Sequence, residues 1–283
     1  MHYLITGGTG FVGKNLVEYI LTTDNKITLA VRDKRKIEEC GGKGLLSSVV
    51  FDLNDIKTDN LWSYFGEPDC VFHLAWQGLP NYDSPFHLTT NLPNQIKFFD
   101  KLISSGCPKI ITTGTCFEYG MKYGPLTEDM NCNPHNSYAV AKDSLRKVVF
   151  ELSKDTTTIV WARLFYLYGK HQREDSLFGQ LNQAINNKDK VFKMTEGEQL
   201  RDYMDIKDVV KYLYLVSQSV NHSDIINVAS GEPISVRKLV ENICRERGAN
   251  IELELGYYPY SRFESMAFWA DTTKLRKILA GRT

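Results

Sequence analysis

The 283-residue chain has no surplus of either charge: 34 basic side chains face 34 acidic ones. A dedicated nucleic-acid binder carries a broad basic excess, so extended polyanions are excluded as partners, though small charged pockets are not. No run of about 18 apolar residues occurs, which argues against a membrane-spanning helix. Six cysteines stand at 40, 70, 107, 116, 132 and 244. None belongs to a C-x-x-C pair, and no Cys/His cluster has zinc-finger spacing, which leaves reduced thiols in a cytoplasmic protein as the reading. His2-Tyr3-Leu4-Ile5-Thr6 runs straight into glycines and leaves no room for the basic and apolar regions of a secretory signal. Internal repeats and low-complexity tracts are lacking too.

What remains is the balance of a soluble globular protein, 42% hydrophobic and 24% charged. Short apolar runs at His2–Thr6, Lys26–Val31, Ser48–Phe51, Cys70–Leu74, Lys109–Thr113 and Thr157–Arg163 predict strands. Helical patterns at Gly10–Thr22, Pro85–Ser105 and Ser137–Lys154 lie between them. Strand and helix in alternation predict an α/β fold, a Rossmann-type doubly wound parallel sheet. Residues 1–165 form its dinucleotide-binding domain, and 166–283 a smaller C-terminal α/β substrate lobe, with the chain free to cross between them. In the second part, helices are expected at Ser176–Asn187, Asp205–Ser217, Ser235–Arg247 and Thr272–Leu279. Short strands are expected there at Ile225–Val228 and Ile251–Leu255, and an ordered loop at Gly256–Glu264.

Between the first strand and helix, Gly7, Gly10 and Gly13 follow a G-x-x-G-x-x-G spacing within Thr6-Gly7-Gly8-Thr9-Gly10-Phe11-Val12-Gly13. The first glycine suits a tight turn, the second lets backbone approach a pyrophosphate, and the third lets helix pack on strand. The helix N-terminus, with Phe11 and Val12, then offers free N–H groups to the anion. At the end of the second strand, Arg32 occupies the place where an acidic residue would bind a ribose 2′-OH. Arg32 and Arg35 therefore point to NADP(H), with NAD(H) or a solvated charge run as the alternatives. Asp52 and Leu53 are placed to contact adenine, and Leu74, Ala75 and Trp76 to line the cofactor.

Tyr138 and Lys142 form Y-x-x-x-K at the start of a helix, on one helical face. An ammonium near a phenol favours the phenolate, so Tyr138 is expected to exchange protons near neutrality. Thr115, after the fifth strand, adds a hydroxyl at the carboxyl edge where doubly wound sheets bind ligands.

These segments together resemble the extended short-chain dehydrogenase/reductase (NAD-dependent epimerase/dehydratase) family acting on nucleotide-linked sugars. The resemblance spans nearly the whole chain: T-G-G-T-G-F-V-G at 6–13, H-L-A at 73–75, hydroxyl–Y-G at 115–120, and Tyr138/Lys142. R-L-F-Y-L-Y-G at 163–169, R-D-Y-M-D at 201–205 and I-N-V-A-S-G at 226–231 continue it. It implies that Tyr138 is the acid/base, that Lys142 tunes it and binds the nicotinamide ribose, and that Thr115 is the active-site hydroxyl. It further implies that Asn91 supports a proton relay or packs its helix, and that Phe165 lies at the cofactor. Arg201 and Arg262 are implied to grip a sugar-nucleotide diphosphate. Related enzymes pair through two helices, here Pro85–Ser105 and Ser137–Lys154, so a homodimer is expected. Ile96, Phe98, Phe99, Leu145, Val149 and Phe150 serve that pairing or the chain's own core.

Departures narrow the reaction. Family dehydratases carry Asp-Glu after the hydroxyl residue, where this chain has Cys116 and Phe117, so dehydration is set aside. Cys116 stands one place early for the cysteine of the bifunctional epimerase-reductases, and His171 is read as an exposed loop residue. The segments around Thr115 and Lys142 look like 4-ketoreductases that make deoxysugars on dTDP or CDP. The expectation is NADPH-dependent reduction of the C4 ketone of a nucleotide 4-keto-6-deoxyhexose. A nucleotide-sugar 4-epimerase and a non-catalytic NADP(H) sensor are the alternatives.

Overall fold

The computed structural model describes residues 1–33, 35, 46–154, 156–260 and 265–281. Seven strands form the central sheet: β1 (His2–Thr6), β2 (Lys26–Val31), β3 (Leu46–Val50), β4 (Cys70–His73), β5 (Lys109–Thr115), β6 (Thr158–Leu164) and β7 (Asp224–Val228). Their spatial order is β3-β2-β1-β4-β5-β6-β7, and every neighbouring pair is parallel. The order reverses between β1 and β4, which opens a crevice at their carboxyl ends.

Helices cover both faces. On one, α1 (Phe11–Ile20) packs beside a later helix, Ile206–Ser219. Tyr3 and Ile5 point into this layer and meet Leu16, Val17, Val209 and Leu213. On the other face Leu4 meets Phe98, Phe99, Leu145 and Val149, the alternation that period-2 strands impose. A four-residue helix unforeseen from sequence, α2 (Leu61–Tyr64), starts where the Asn60 side chain accepts the Ser63 N–H. The predicted helix at Pro85–Ser105 begins as a π-helical turn, His87–Asn91, and continues as α3 (Leu92–Ser104). The third layer helix is α4 (Ser137–Leu152), capped by the Asn136 side chain on Ala139 N–H.

Phe98, Phe99, Leu145 and Val149 are thus buried within the chain itself, and Ile96 and Phe150 pack against them. That part of the apolar stripe serves the intrachain core.

The rest of the chain adds α5 (Leu177–Asn187), α6 (Ile206–Ser219), α7 (Val236–Glu246) and α8 (Thr273–Ala280). A separate small core of Phe178, Leu181, Phe192, Met194, Leu239 and Val240 unites α5 and α7 with short strands at Val191–Lys193 and Glu252–Glu254. Not all of residues 166–283 lie in this lobe. β7 joins the central sheet beside β6, and α6 and α8 pack back on it, because Ile226, Val228, Val209 and Leu275 complete the core around Tyr3.

The strand Leu200–Asp205 links the two parts. Asp202, fully buried there, accepts Ser230 N–H and Oγ–H, Gly231 N–H and Ala270 N–H at 2.6–3.1 Å. Asp205 caps α6 through Lys207 N–H. The acidic residues of R-D-Y-M-D therefore serve the fold.

Candidate active site

The turn after β1 is built for close approach. Gly7 has φ +73°, and a Cβ there would lie 2.7 Å from Ala75 N. A Cβ on Gly13 would come within 2.1 Å of the Gly7 carbonyl oxygen, so only glycine lets α1 sit on the turn. At Gly10 a Cβ would meet just that oxygen, at 3.3 Å, and would begin to fill open space above the turn. Gly10 caps α1 without a side-chain acceptor, so backbone N–H groups at the helix start stay available. A cradle of small residues and free donors fits a pyrophosphate.

The turn opens into a cleft of about 900 Å³. Gly7, Gly10, Phe11, Val12 and Gly13 line it with Leu74, Trp76 and Phe165, and Thr115, Tyr138 and Lys142 border the same space. Asn136 starts α4 with Tyr138 in its first turn and Lys142 one turn later. The phenol meets the Thr115 side chain as a hydrogen-bond partner. Lys142 Nζ donates to the Thr113 carbonyl oxygen at 2.8 Å.

Electrostatics here differ from the expectation that Lys142 lowers Tyr138. Both groups are buried, and burial disfavours the charged form of each. It pushes the Tyr138 phenol up, with Tyr82, Glu118 and Cys116 adding to the rise and Thr115 opposing it. The Lys142 ammonium is lowered to about 7 by burial, with Glu118 opposing. Desolvation outweighs the pairing that the i, i+4 spacing suggested.

The remaining predicted residues divide. Ala75 stands against Gly7, and its carbonyl accepts Gln95 Nε2–H at 2.9 Å. Asp52 accepts the Asn54 backbone N–H at 2.9 Å, and Leu53 packs against the core. Arg32 is exposed just beyond β2. Arg35, expected to share a 2′-phosphate, is exposed and forks onto Asp33 at 2.7–3.0 Å. Asn91 is buried and donates to the Gln77 carbonyl at 2.6 Å, fastening the loop after Trp76. Arg201 is buried, its guanidinium 4.7 Å from the Phe268 ring centroid and bonded to Tyr166 Oη at 3.2 Å. Arg262 lies outside the described residues. Cys116 and Phe117 border the cleft. So does His171, an exposed turn residue as its sequence context suggests, bonded to Glu18 at 2.7 Å.

The NAD dependent epimerase/dehydratase family model matches residues 3–229. The chain belongs to this family. It is 30% identical over 273 residues to the dTDP-6-deoxy-L-talose 4-dehydrogenase (NAD(+)) of Aggregatibacter actinomycetemcomitans, covering 95% of this chain and 99% of that one. It is 29% identical over 279 residues to the dTDP-4-dehydro-6-deoxyglucose reductase of Escherichia coli, covering 85% and 80%. A solved UDP-glucuronic acid 4-epimerase from Bacillus cereus, in complex with UDP-glucuronic acid and NAD, shares the fold with TM-score 0.83 at 22% identity, covering 99% and 93%.

Within this epimerase/dehydratase frame, one buried group was not singled out from sequence. Glu118 is fully buried and accepts Thr115 N–H at 2.9 Å, Trp161 Nε1–H at 3.0 Å and Arg163 Nε–H at 2.8 Å. Thr115 and Glu118 form a capping box, so the T-x-x-E spacing was a readable signal. Gly114 makes room for it: a Cβ there would stand 2.1 Å from Trp161 Nε1 and 2.4 Å from Glu118 Oε1. Cys132 and Asp143 lie near Glu118, yet Arg163 and Arg146 occupy these groups, which gives the cluster the character of an ion-pair network. Tyr82, Tyr166, Arg173 and Tyr203 also border the cleft. They come from loops and short strands, where no periodicity marks them.

Proposed function

We propose that this family member transfers hydride between a nicotinamide dinucleotide and C4 of a nucleotide-linked 6-deoxyhexose, reducing a 4-ketone to the alcohol. One observation carries the reading: Thr115, Tyr138 and Lys142 border the same cleft as an anion-ready glycine turn. Two relatives whose names place their chemistry at C4 of dTDP-6-deoxy sugars support it.

The bound dinucleotide would supply the hydride, with Gly7, Gly10 and Gly13 against its pyrophosphate and Lys142 at its ribose. Tyr138, neutral at physiological pH because its environment resists ionisation, delivers a proton to the ketone oxygen. Thr115 offers a second hydrogen bond to that oxygen and stabilises charge as it develops. Phe117 and Tyr82, ring centroids 5.4 Å apart, and Tyr138 beside Tyr82 make an apolar wall that suits a sugar lacking one hydroxyl. Arg201 and Arg262 are the proposed diphosphate contacts, and Phe165 and Asn91 flank the cofactor as supports.

For the cofactor, Arg32 is exposed just beyond β2, and the exposed Arg35 guanidinium pairs with the Asp33 carboxylate. NAD(H) is the form we take first, in line with the relative named for NAD(+). The affinities of Arg32→Ala for NAD+ and NADP+ separate the two, because a 2′-phosphate partner would weaken NADP+ alone.

The test is incubation of purified protein with dTDP- and CDP-4-keto-6-deoxyglucose while following nicotinamide absorbance. Tyr138→Phe should lose at least about a hundredfold in turnover, with dinucleotide affinity within about threefold. Absence of oxidation with every keto sugar nucleotide rejects the reading. A second reading, 4-epimerisation, is favoured by the epimerase of the same fold. It predicts NAD carried through purification and interconversion without net cofactor change. A homodimer through the α3 and α4 faces is proposed with either, and light scattering decides it.

A further inference from the structure

Trp76 lies beyond the end of β4, half-buried on the cleft wall. Lys142 Nζ stands 4.2 Å from its ring centroid, and Tyr138 meets it edge-on at 5.7 Å. One side chain therefore touches both groups proposed to run the proton chemistry.

Its orientation is held from behind. The indole N–H donates to His87 Nδ1 at 3.1 Å, and His87 Nε2 lies 2.8 Å from the Asn81 carbonyl oxygen. An indole N–H can only donate and a carbonyl can only accept, so both partners demand the same neutral tautomer with the proton on Nε2. His87 is fully buried, stacked on Trp76 at 6.1 Å and edge-on to Tyr138 at 5.5 Å. Rotating the indole would break its bond to a histidine that has no freedom to follow.

We infer that Trp76 is a positioning residue: pinned by His87, its ring face holds the Lys142 ammonium against the Thr113 carbonyl and beside Tyr138. The inference rests on the proposed roles of Tyr138 and Lys142. Its physical basis is the negative face of the indole, which replaces part of the hydration that Lys142 loses on burial. The other groups acting on Lys142 are known. Glu118 favours its charge, the Trp161 ring lies further off at 5.9 Å, Tyr138 is a neutral phenol, and His73 is neutral, held down to about 3 by burial.

The test reads Lys142 directly and does not need turnover. Full-length protein is labelled at lysine Cε with carbon-13, and the Lys142 signal is assigned by its loss in Lys142→Met. Trp76→Leu should lower the Lys142 titration midpoint by about half a unit, the order of an exposed-to-buried cation–π contact. Trp76→Phe keeps a ring face and should lower it less, whereas His87→Leu, which frees the indole, should lower it too. A midpoint that stays or rises in Trp76→Leu overturns the inference. Should that variant not fold, an unmoved midpoint in both Trp76→Phe and His87→Leu does so. With a keto sugar nucleotide, Trp76→Leu should cut kcat at least tenfold while KM changes less than threefold. An equal rise in KM would mark Trp76 as a plain wall residue and also overturn the inference. If no sugar nucleotide turns over, the proposed function fails, and the titration still decides the role of Trp76.

Discussion

Replacing Glu118 with alanine removes the acceptor of three buried donors at once. Arg163, 1% exposed on its side chain, would lose the carboxylate held 2.8 Å from its Nε. Its remaining contacts are the Glu128 carbonyl at 3.3 Å, the Cys132 sulfur at 2.9 Å and the Tyr119 ring face at 4.4 Å, none of them an opposite charge. Breaking a buried ion pair from one side costs about 3–5 kcal/mol, because the stranded charge keeps its desolvation penalty. The Thr115 and Trp161 N–H groups, each worth about 1–3 kcal/mol when left unsatisfied, overlap with that figure and do not simply add. We expect a net loss of about 4 kcal/mol in urea unfolding. Glu118→Gln keeps an oxygen for Thr115 and Trp161 but sets an amide against Arg163, so it should lose about half as much. Activity should fall in both beyond the loss of folded protein, since Thr115 loses the bond that fixes its backbone. An alanine variant destabilised by less than about 1 kcal/mol would refute the claim that Glu118 is the neutralising partner of Arg163.

Three further outcomes follow from the same site. Gly13→Ala forces a methyl to 2.1 Å from the Gly7 oxygen and should destabilise the fold measurably, whereas Gly10→Ala meets that atom at 3.3 Å. Gly10→Ala should therefore stay within about 1 kcal/mol of wild type in denaturant yet lose dinucleotide affinity by calorimetry; normal affinity would unseat the turn as the pyrophosphate site. Lys142 falls from 10.5 to about 7 on folding, so the folded state binds fewer protons between those values. Wild-type stability should rise with pH from about 7 upward as the cost of the buried ammonium is relieved, fully present below pH 7. Lys142→Met should lack that rise and be more stable at pH 7, by on the order of 4 kcal/mol; parallel pH profiles would contradict this. His73, lowered from 6.5 to about 3, acts in the same direction at lower pH: stability should fall as pH drops below 6.5, and a His73→Gln variant should lose that slope.

Much of the frame could be read from local pattern. β1 and β2 begin and end where the apolar runs do, at His2–Thr6 and Lys26–Val31. α4 starts at Ser137, as its spacing predicts. The glycine spacing needs only neighbours along the chain to dictate a tight turn followed by a helix, and so does the T-x-x-E capping box. Less could be read where a residue's role depends on a partner far away. The H-L-A histidine is a neutral bridge, with Nδ1 2.8 Å from Thr6 Oγ1 and Nε2 2.5 Å from Gln95 Oε1. Nothing in the motif names those partners.

Composition, period and glycine placement determined by themselves the parallel sheet, its crevice and the three residue types that could do chemistry there. Each of these follows from short-range sterics and from which face of an element is apolar. Tertiary structure alone decided that β7 closes the sheet from the far end of the chain. It alone decided that burial, not charge pairing, governs Tyr138 and Lys142. The placing of Glu118, Arg163 and Trp161 behind Thr115 belongs with these. They are 45 positions apart at most in sequence, but their bonds exist only once β5 and β6 lie side by side. Desolvation is a property of the packed interior, so no spacing along the chain can state it in advance.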